Sequence, residues 1–192
     1  GFRQLGYNNR IIVFEPDKNY CVKKLRKLKR KIANIKIIEF ALSDKNEKKI
    51  LYQAYFLGIK MHFLSSFDKK YLLNIINEVY TYFKIFFKIK THELYLKKYD
   101  DLKLNVKPIF VKIDVEGYDH KVIKGMLKTI KKYKPLILVE LNKENFNKIY
   151  KMLKNDYHPF RFIFENRTFK KIKRKEINNI NKKFKRNFNF TI

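Results

Sequence analysis

The sequence predicts an α/β fold on a doubly wound, mostly parallel sheet, and three observations carry that expectation. Apolar runs at residues 10–15, 34–42, 109–114 and 135–141 are separated by stretches with helical spacing. The runs are predominantly apolar rather than strictly alternating, as strands covered on both faces are. Each ends on acidic or small polar residues: Glu15, Ser43 with Asp44, Asp114 with Glu116, and Glu140. A carboxylate at the tip of a buried strand is costly unless it is paired, hydrogen-bonded or bound to a ligand, and in open α/β sheets that edge is where ligands sit.

In chain order, "RIIVFEPD" (10–17) is a strand stopped by Pro16, and residues 18–32 form a basic helix with Val22, Leu25, Leu28 and Ile32 on one stripe. "NIKIIEFALSD" (34–44) returns to strand, and "KKILYQAYF" (48–56) is a further extended segment. In residues 65–90, Leu72, Ile75, Ile76, Val79, Tyr80, Phe83, Phe86 and Phe87 fall on a broad helical face, with Lys84, Lys88 and Lys90 late. Such a helix packs on the domain, caps an acceptor pocket, or lies on a membrane interface, where aromatic and basic residues combine well. After the strand at 109–114, Asp119 opens a helix reaching about Tyr133, either as its cap or as part of a site. Pro135 leads into "PLILVEL". Residues 143–155 are an amphipathic helix with Phe146, Ile149, Tyr150 and Leu153 inward, and "PFRFIFENRTF" (159–169) alternates like a late antiparallel strand. Ile12, Val13, Phe14, Ile37, Ile38, Phe110, Val111, Ile113, Leu136, Ile137, Leu138 and Val139 are expected in the core of one sheet. A domain over residues 1–169 is expected, followed by a basic, Asn-rich tail over 170–192.

A chain of 192 residues with 45% hydrophobic content is long enough for one packed core. Its formal charge is +28. Only 8 of the 46 basic residues are arginine, whereas nucleic-acid binders concentrate Arg for bidentate contacts, so no specific nucleic acid is expected. Weak anionic-surface binding through the Lys-rich face and tail is compatible with the charge. The single cysteine, Cys21, gives no internal disulfide and fits a reducing, cytoplasmic setting. His62, His92, His120 and His158 lack metal-ligand spacing, and no metal is expected.

The segments "IIVFEPDKNYCVKKL", "IKIIEFALSD", the serines at 65 and 66, "KKYDDL", "FVKIDVEGYDHKVIKGM" and "KPLILVEL" occur in the order seen in the FkbM family of S-adenosylmethionine-dependent methyltransferases. Over residues 1–142 the chain resembles that family. The resemblance implies a Rossmann-like sheet of the class I methyltransferase type, S-adenosylmethionine as cofactor, and O-methylation of a saccharide or related polar acceptor. By the same resemblance Glu15 holds the ribose hydroxyls, and Ala41, Leu42 and Ser43 line the adenine side. Asp114 and Glu116 lie where methyl meets acceptor, with Ser65, Ser66 and Glu140 around the acceptor pocket. The family's acidic-x-Gly-x-x-x-Gly turn is not found, since "GFRQLGYNNR" resembles the end of the helix that follows it. The expectation is therefore a domain without its first strand.

Transfer of methyl to a hydroxyl is first a positioning problem and then a deprotonation, which a carboxylate within hydrogen-bond reach can serve. Glu116, just past the strand, is the preferred base over Asp114. Three alternatives stand beside this reading. The carboxylates can instead brace the turn at Gly117, the chain can be a non-catalytic basic module for nucleic acid or anionic lipid, or it can be an inactive methyltransferase remnant.

Overall fold

The computed structural model describes residues 6, 8–17, 24–115, 117–140, 143–163, 165–173, 176 and 189–191. The chain divides into two compact units, one of residues 1–42 and 46–97, the other of 43–45 and 98–192.

In the first unit, β1 (Ile11–Phe14) pairs in parallel with β2 (Ile35–Ile38), Ile11 opposite Ile35 and Phe14 opposite Ile38. Between them lies the short basic helix α1 (Arg26–Lys31), while residues 18–23, where the helix is expected to start, lie outside the described residues. The apolar run at 34–42 is two strands rather than one. After β2 the chain turns at Glu39 and Phe40, and β3 (Ala41–Leu42) enters a different sheet, parallel to Leu96 and Lys97. That sheet has the order β3-β6-β4-β5, in which β4 (Glu47–Phe56) runs antiparallel to both β5 (Ile59–Ser66) and β6 (Phe87–Lys97). The helix α2 (Lys69–Val79) packs Leu72 and Ile76 onto Ala54 and Leu64. Asp68 caps it, its side chain accepting from the backbone N–H groups of Lys70 at 2.8 Å and Tyr71 at 3.2 Å.

The long helix expected over 65–90 is thus corrected. It stops at Val79, and after a 3-10 turn (Lys84–Phe86) the chain becomes β6. From Phe87 onward residues alternate between half-buried Phe87 and Ile89 and exposed Lys88 and Lys90, a period of two. Aromatic and β-branched residues favour that pleated surface, and the strand is held by ten residues of register with β4, from Glu47 opposite Leu96 to Phe56 opposite Phe87.

In the second unit, β7 (Phe110–Ile113) and β8 (Leu136–Glu140) pair in parallel, Ile113 opposite Val139. They belong to a five-stranded sheet of order β10-β9-β11-β8-β7, in which β9 (Phe160–Ile163) and β10 (Thr168–Lys171) form the late antiparallel hairpin. Part of the stretch expected as a tail is structural: β11 (Asn189–Thr191) lies antiparallel between β8 and β9. Its sequence, "NFT", is too short for an alternation to stand out from the basic composition around it. The helix expected from Asp119 is two helices, α3 (Asp119–Gly125) and α4 (Leu127–Tyr133), parted at Met126. Asp100, from the "KKYDDL" stretch, caps α4 from a distance in sequence: its carboxylate accepts from Lys128 N at 2.9 Å, Thr129 N at 3.0 Å and Thr129 Oγ1 at 2.7 Å. The last helix, α5 (Lys143–Leu153), buries Phe146, Ile149 and Leu153 as its pattern predicts.

The expected core residues therefore do not share one hydrogen-bonded sheet among the described residues. β1–β2 and β7–β8 are two separate parallel pairs. Ile113, Ile137 and Val139 are buried, the residues of β1 are only half-buried, and Leu136 is exposed. An apolar run signals burial of a strand without naming its neighbour. No described helix is long and apolar enough to cross a membrane.

Candidate active site

In the first unit, Glu15 follows directly on β1, its backbone N–H donating to Ile38 O at 3.0 Å and so extending the parallel ladder to the strand tip. Its Oε1 accepts from the Asp17 N–H at 2.9 Å. Partial burial pushes the Glu15 pKa up, and the charge of Asp17 adds to the rise. The hydrogen bond from Asp17 and the positive charges of Lys60 and His62 pull against it without cancelling it. Lys60 is itself ion-paired to Asp17. The result is a half-desolvated carboxyl at a parallel strand's C-terminal tip, accepting from the Asp17 N–H.

Ala41 and Leu42 sit half-buried in β3. Ser65 and Ser66 end β5, opposite Gln53 and Tyr52. Ser66 is buried, and its Oγ accepts from the Asp68 N–H at 3.0 Å, just ahead of α2. The register of β4 on β5 shifts between Gln53 and Tyr55, and buried Gln53 spans the irregularity, its Nε2 donating to the carbonyls of Met61 at 2.6 Å and Leu64 at 3.0 Å.

In the second unit, the register of Ile113 opposite Val139 brings Asp114 and Glu140 to adjoining strand ends. Asp114 is exposed and paired with Lys112 Nζ at 2.9 Å. Glu116 and the side chain of Glu140 lie outside the described residues. Gly117 has φ +91°, a left-handed conformation that suits glycine in the turn after the strand.

Ser43 is fully buried, with its Oγ 3.4 Å from Asp44 Oδ1. Its carbonyl runs directly beneath α3 at Gly125, where a Cβ would lie 2.0 Å from Ser43 O. Asp44, next in the chain, accepts from Lys124 Nζ at 2.9 Å. Burial raises the Asp44 pKa, but the Lys124 hydrogen bond and charge and nearby Lys121 outweigh it, so the net shift is downward. The "ALSD" and "IKGM" stretches thus meet as backbone against glycine, closed by an ion pair.

Sequence reasoning placed Asp119 as a helix cap or as part of a site and missed its burial against Asn145. Asp119 does not cap its helix. It is the first helical residue, 2% exposed, and its Oδ2 accepts from Asn145 Nδ2 of α5 at 3.1 Å. The Asn145 carbonyl oxygen faces His120 Nδ1, which fixes that ring nitrogen as the protonated donor. Burial is the main cause of a raised Asp119 pKa; the N–H groups of Asp119 and Val115 and the charge of His120 oppose the rise, and Asp114 adds to it. Among the described residues Asp119 Oδ1 has no hydrogen-bond partner. For Asn145 the only sequence signal is its place beside the inward face of an amphipathic helix.

A carboxyl with a raised folded pKa binds its proton more tightly folded than unfolded, so folding gains stability as pH falls through the folded pKa toward the unfolded one. Asp119→Asn removes that titration. Relative to the variant, the wild-type protein is expected to gain stability between neutral pH and about pH 4, the ordinary carboxylate range. Urea midpoints taken in parallel across that range test this, and a constant difference would assign Asp119 no titration of its own.

The methyltransferase FkbM domain family matches residues 2–171. The chain belongs to the FkbM methyltransferase family. A solved structure of methyltransferase FkbM from Methylobacillus flagellatus KT aligns with a TM-score of 0.50 at 15% identity, a likeness of fold. The alignment covers 78% of this chain and 32% of that one, so the chain spans about a third of the FkbM protein it matches. No curated protein sequence matches it.

Proposed function

We propose that this FkbM domain transfers methyl from S-adenosylmethionine to an oxygen of a saccharide or related polar acceptor. The observation that carries the cofactor reading is Glu15. Vicinal ribose hydroxyls are a pair of donors, and a half-desolvated carboxylate at a parallel strand's tip is the acceptor that suits them. Ala41 and Leu42, half-buried in β3, supply apolar surface for the adenine side. When bound, the cofactor supplies a methyl group on a positively charged sulfur, ready for displacement. The chain's part is to hold the acceptor hydroxyl in line and to take its proton as the oxygen gains the methyl group. We assign that proton to Glu116, with Asp114 and Glu140 at the neighbouring strand tips.

The same reading keeps the family's Rossmann-like, doubly wound sheet, supported by the parallel pairs β1–β2 and β7–β8, each followed by an acidic residue at its tip.

In the full-length protein, Glu15→Ala is expected to weaken S-adenosylmethionine binding by about 1.5–3 kcal/mol, the range for hydrogen bonds to a charged group. Wild-type affinity should also fall as acid protonates Glu15, beginning at a higher pH than for an ordinary glutamate because its pKa is raised. Glu15→Gln should flatten that dependence. Calorimetry on both variants decides: unchanged affinity in a folded Glu15→Ala protein removes the residue from the site.

A further inference from the structure

The first unit carries an apolar surface that methyl transfer does not explain. The hairpin between β4 and β5 turns on Leu57 and Gly58, with φ of +47° and +82° and Phe56 opposite Ile59. Such two-residue turns favour Asn, Asp or Gly at the first position, since φ is positive there. Leucine is a poor choice for the backbone and gains nothing from burial, being exposed. The 3-10 turn before β6 lies against this hairpin: the Leu57 N–H donates to Phe86 O at 3.1 Å, and the Phe56 ring meets those of Phe83 at 6.5 Å and Phe86 at 6.2 Å. Leu57, Ile59, Tyr82, Phe83, Ile85 and Phe86 are thereby gathered at one end of the unit, all exposed, Tyr82 by 91% and Ile85 by 77%.

The charge around this tip has one sign. Residues 48–67 and 79–92 contain six lysines and no acidic residue, and the acidic residues of β4 and β6, Glu47 and Glu93, lie toward the strand ends away from the tip. Lys84 lies within the tip, and Lys88 and Lys90 stand exposed on the outward face of β6, Lys90 over the Tyr55 ring at 4.6 Å. Monomeric soluble proteins rarely leave so many large apolar side chains contiguous and exposed. Aromatic and aliphatic residues at the tip, with lysines behind them, match the depth profile of an anionic bilayer, whose acyl boundary takes the first and whose headgroups take the second. The sequence as a whole, at +28, adds long-range attraction to the same surface.

We propose that the β4–β5 hairpin tip and the 82–86 turn form a membrane-docking surface that inserts into anionic lipid, independently of the catalytic reading. The test uses the full-length protein with vesicles of phosphatidylcholine alone and of phosphatidylcholine containing a quarter of phosphatidylserine. Cosedimentation should show binding to the anionic vesicles at least about tenfold tighter than to the neutral ones. Lys84→Gln with Lys88→Gln should weaken it by about 25-fold, taking each lysine charge at a headgroup surface as about fivefold. Tyr82→Ser with Ile85→Ser keeps the charge and should still weaken it about tenfold or more, with unchanged melting temperature because both side chains are exposed. Equal binding by that serine variant would overturn the proposal in favour of unspecific charge. Failure to bind vesicles while binding single-stranded RNA would also overturn it. So would a dimer in light scattering that the serine variant dissociates, since the tip would then be covered by a second copy.

Discussion

Glu116→Gln is expected to slow methyl transfer by about 10²–10⁴-fold, the usual contribution of a positioned general base. The substitution keeps size and removes the proton acceptor, so cofactor binding should change little. This follows from the place of the residue in "KIDVEG", two positions beyond the tip residue Asp114 and just before the left-handed turn at Gly117. Asp114→Asn provides the comparison. Asp114 is exposed and already paired with Lys112, so its loss should cost turnover less than loss of Glu116 does. If the carboxylates merely brace the Gly117 turn, Glu116→Gln will lower the melting temperature and leave the rate per folded molecule alone. Both quantities measured on one variant separate the roles.

Gly125→Ala is expected to cost about 3 kcal/mol of stability, at the upper end of ordinary overpacking. The added carbon would stand 2.0 Å from Ser43 O and 2.9 Å from Ser43 C, both backbone atoms of a fully buried residue. No rotamer change relieves a clash with backbone, so α3 or the segment after β3 must move. Either movement also strains the Lys124–Asp44 pair beside it. Lys124→Ala is the control at the adjoining position. It removes only a partly exposed ion pair, and such pairs contribute about 0.2–1 kcal/mol. Urea unfolding of the two variants should therefore differ severalfold in effect. Equal, small losses would mean that the close approach yields without cost.

The family and the local elements were legible in the sequence because each rests on short-range pattern. Continuous apolar runs marked β1, β2, β7 and β8; helical spacing marked α2 and α5; acidic residues marked the strand tips. Where local signals conflict, sequence reading fails in a consistent way. Residues 80–90 are apolar enough at helical spacing to extend α2, yet they also alternate, and pairing with β4 decides for strand. Ala41 and Leu42 continue the apolar run of β2, yet they pair with Leu96 and Lys97 of another sheet.

By itself the sequence determined that this is an FkbM-type α/β chain with carboxylates at its strand ends, since strand burial, chain order and tip chemistry are properties of contiguous residues. Tertiary structure alone decided which strands share a sheet and that Asp100 caps a helix at Lys128, 28 positions on. It alone decided that Asp119 is buried against Asn145 and that Gly125 must be bare for Ser43 to pass. These depend on contacts between residues far apart in the chain. A one-dimensional pattern gives the face a residue turns inward, but not the group that will meet it there.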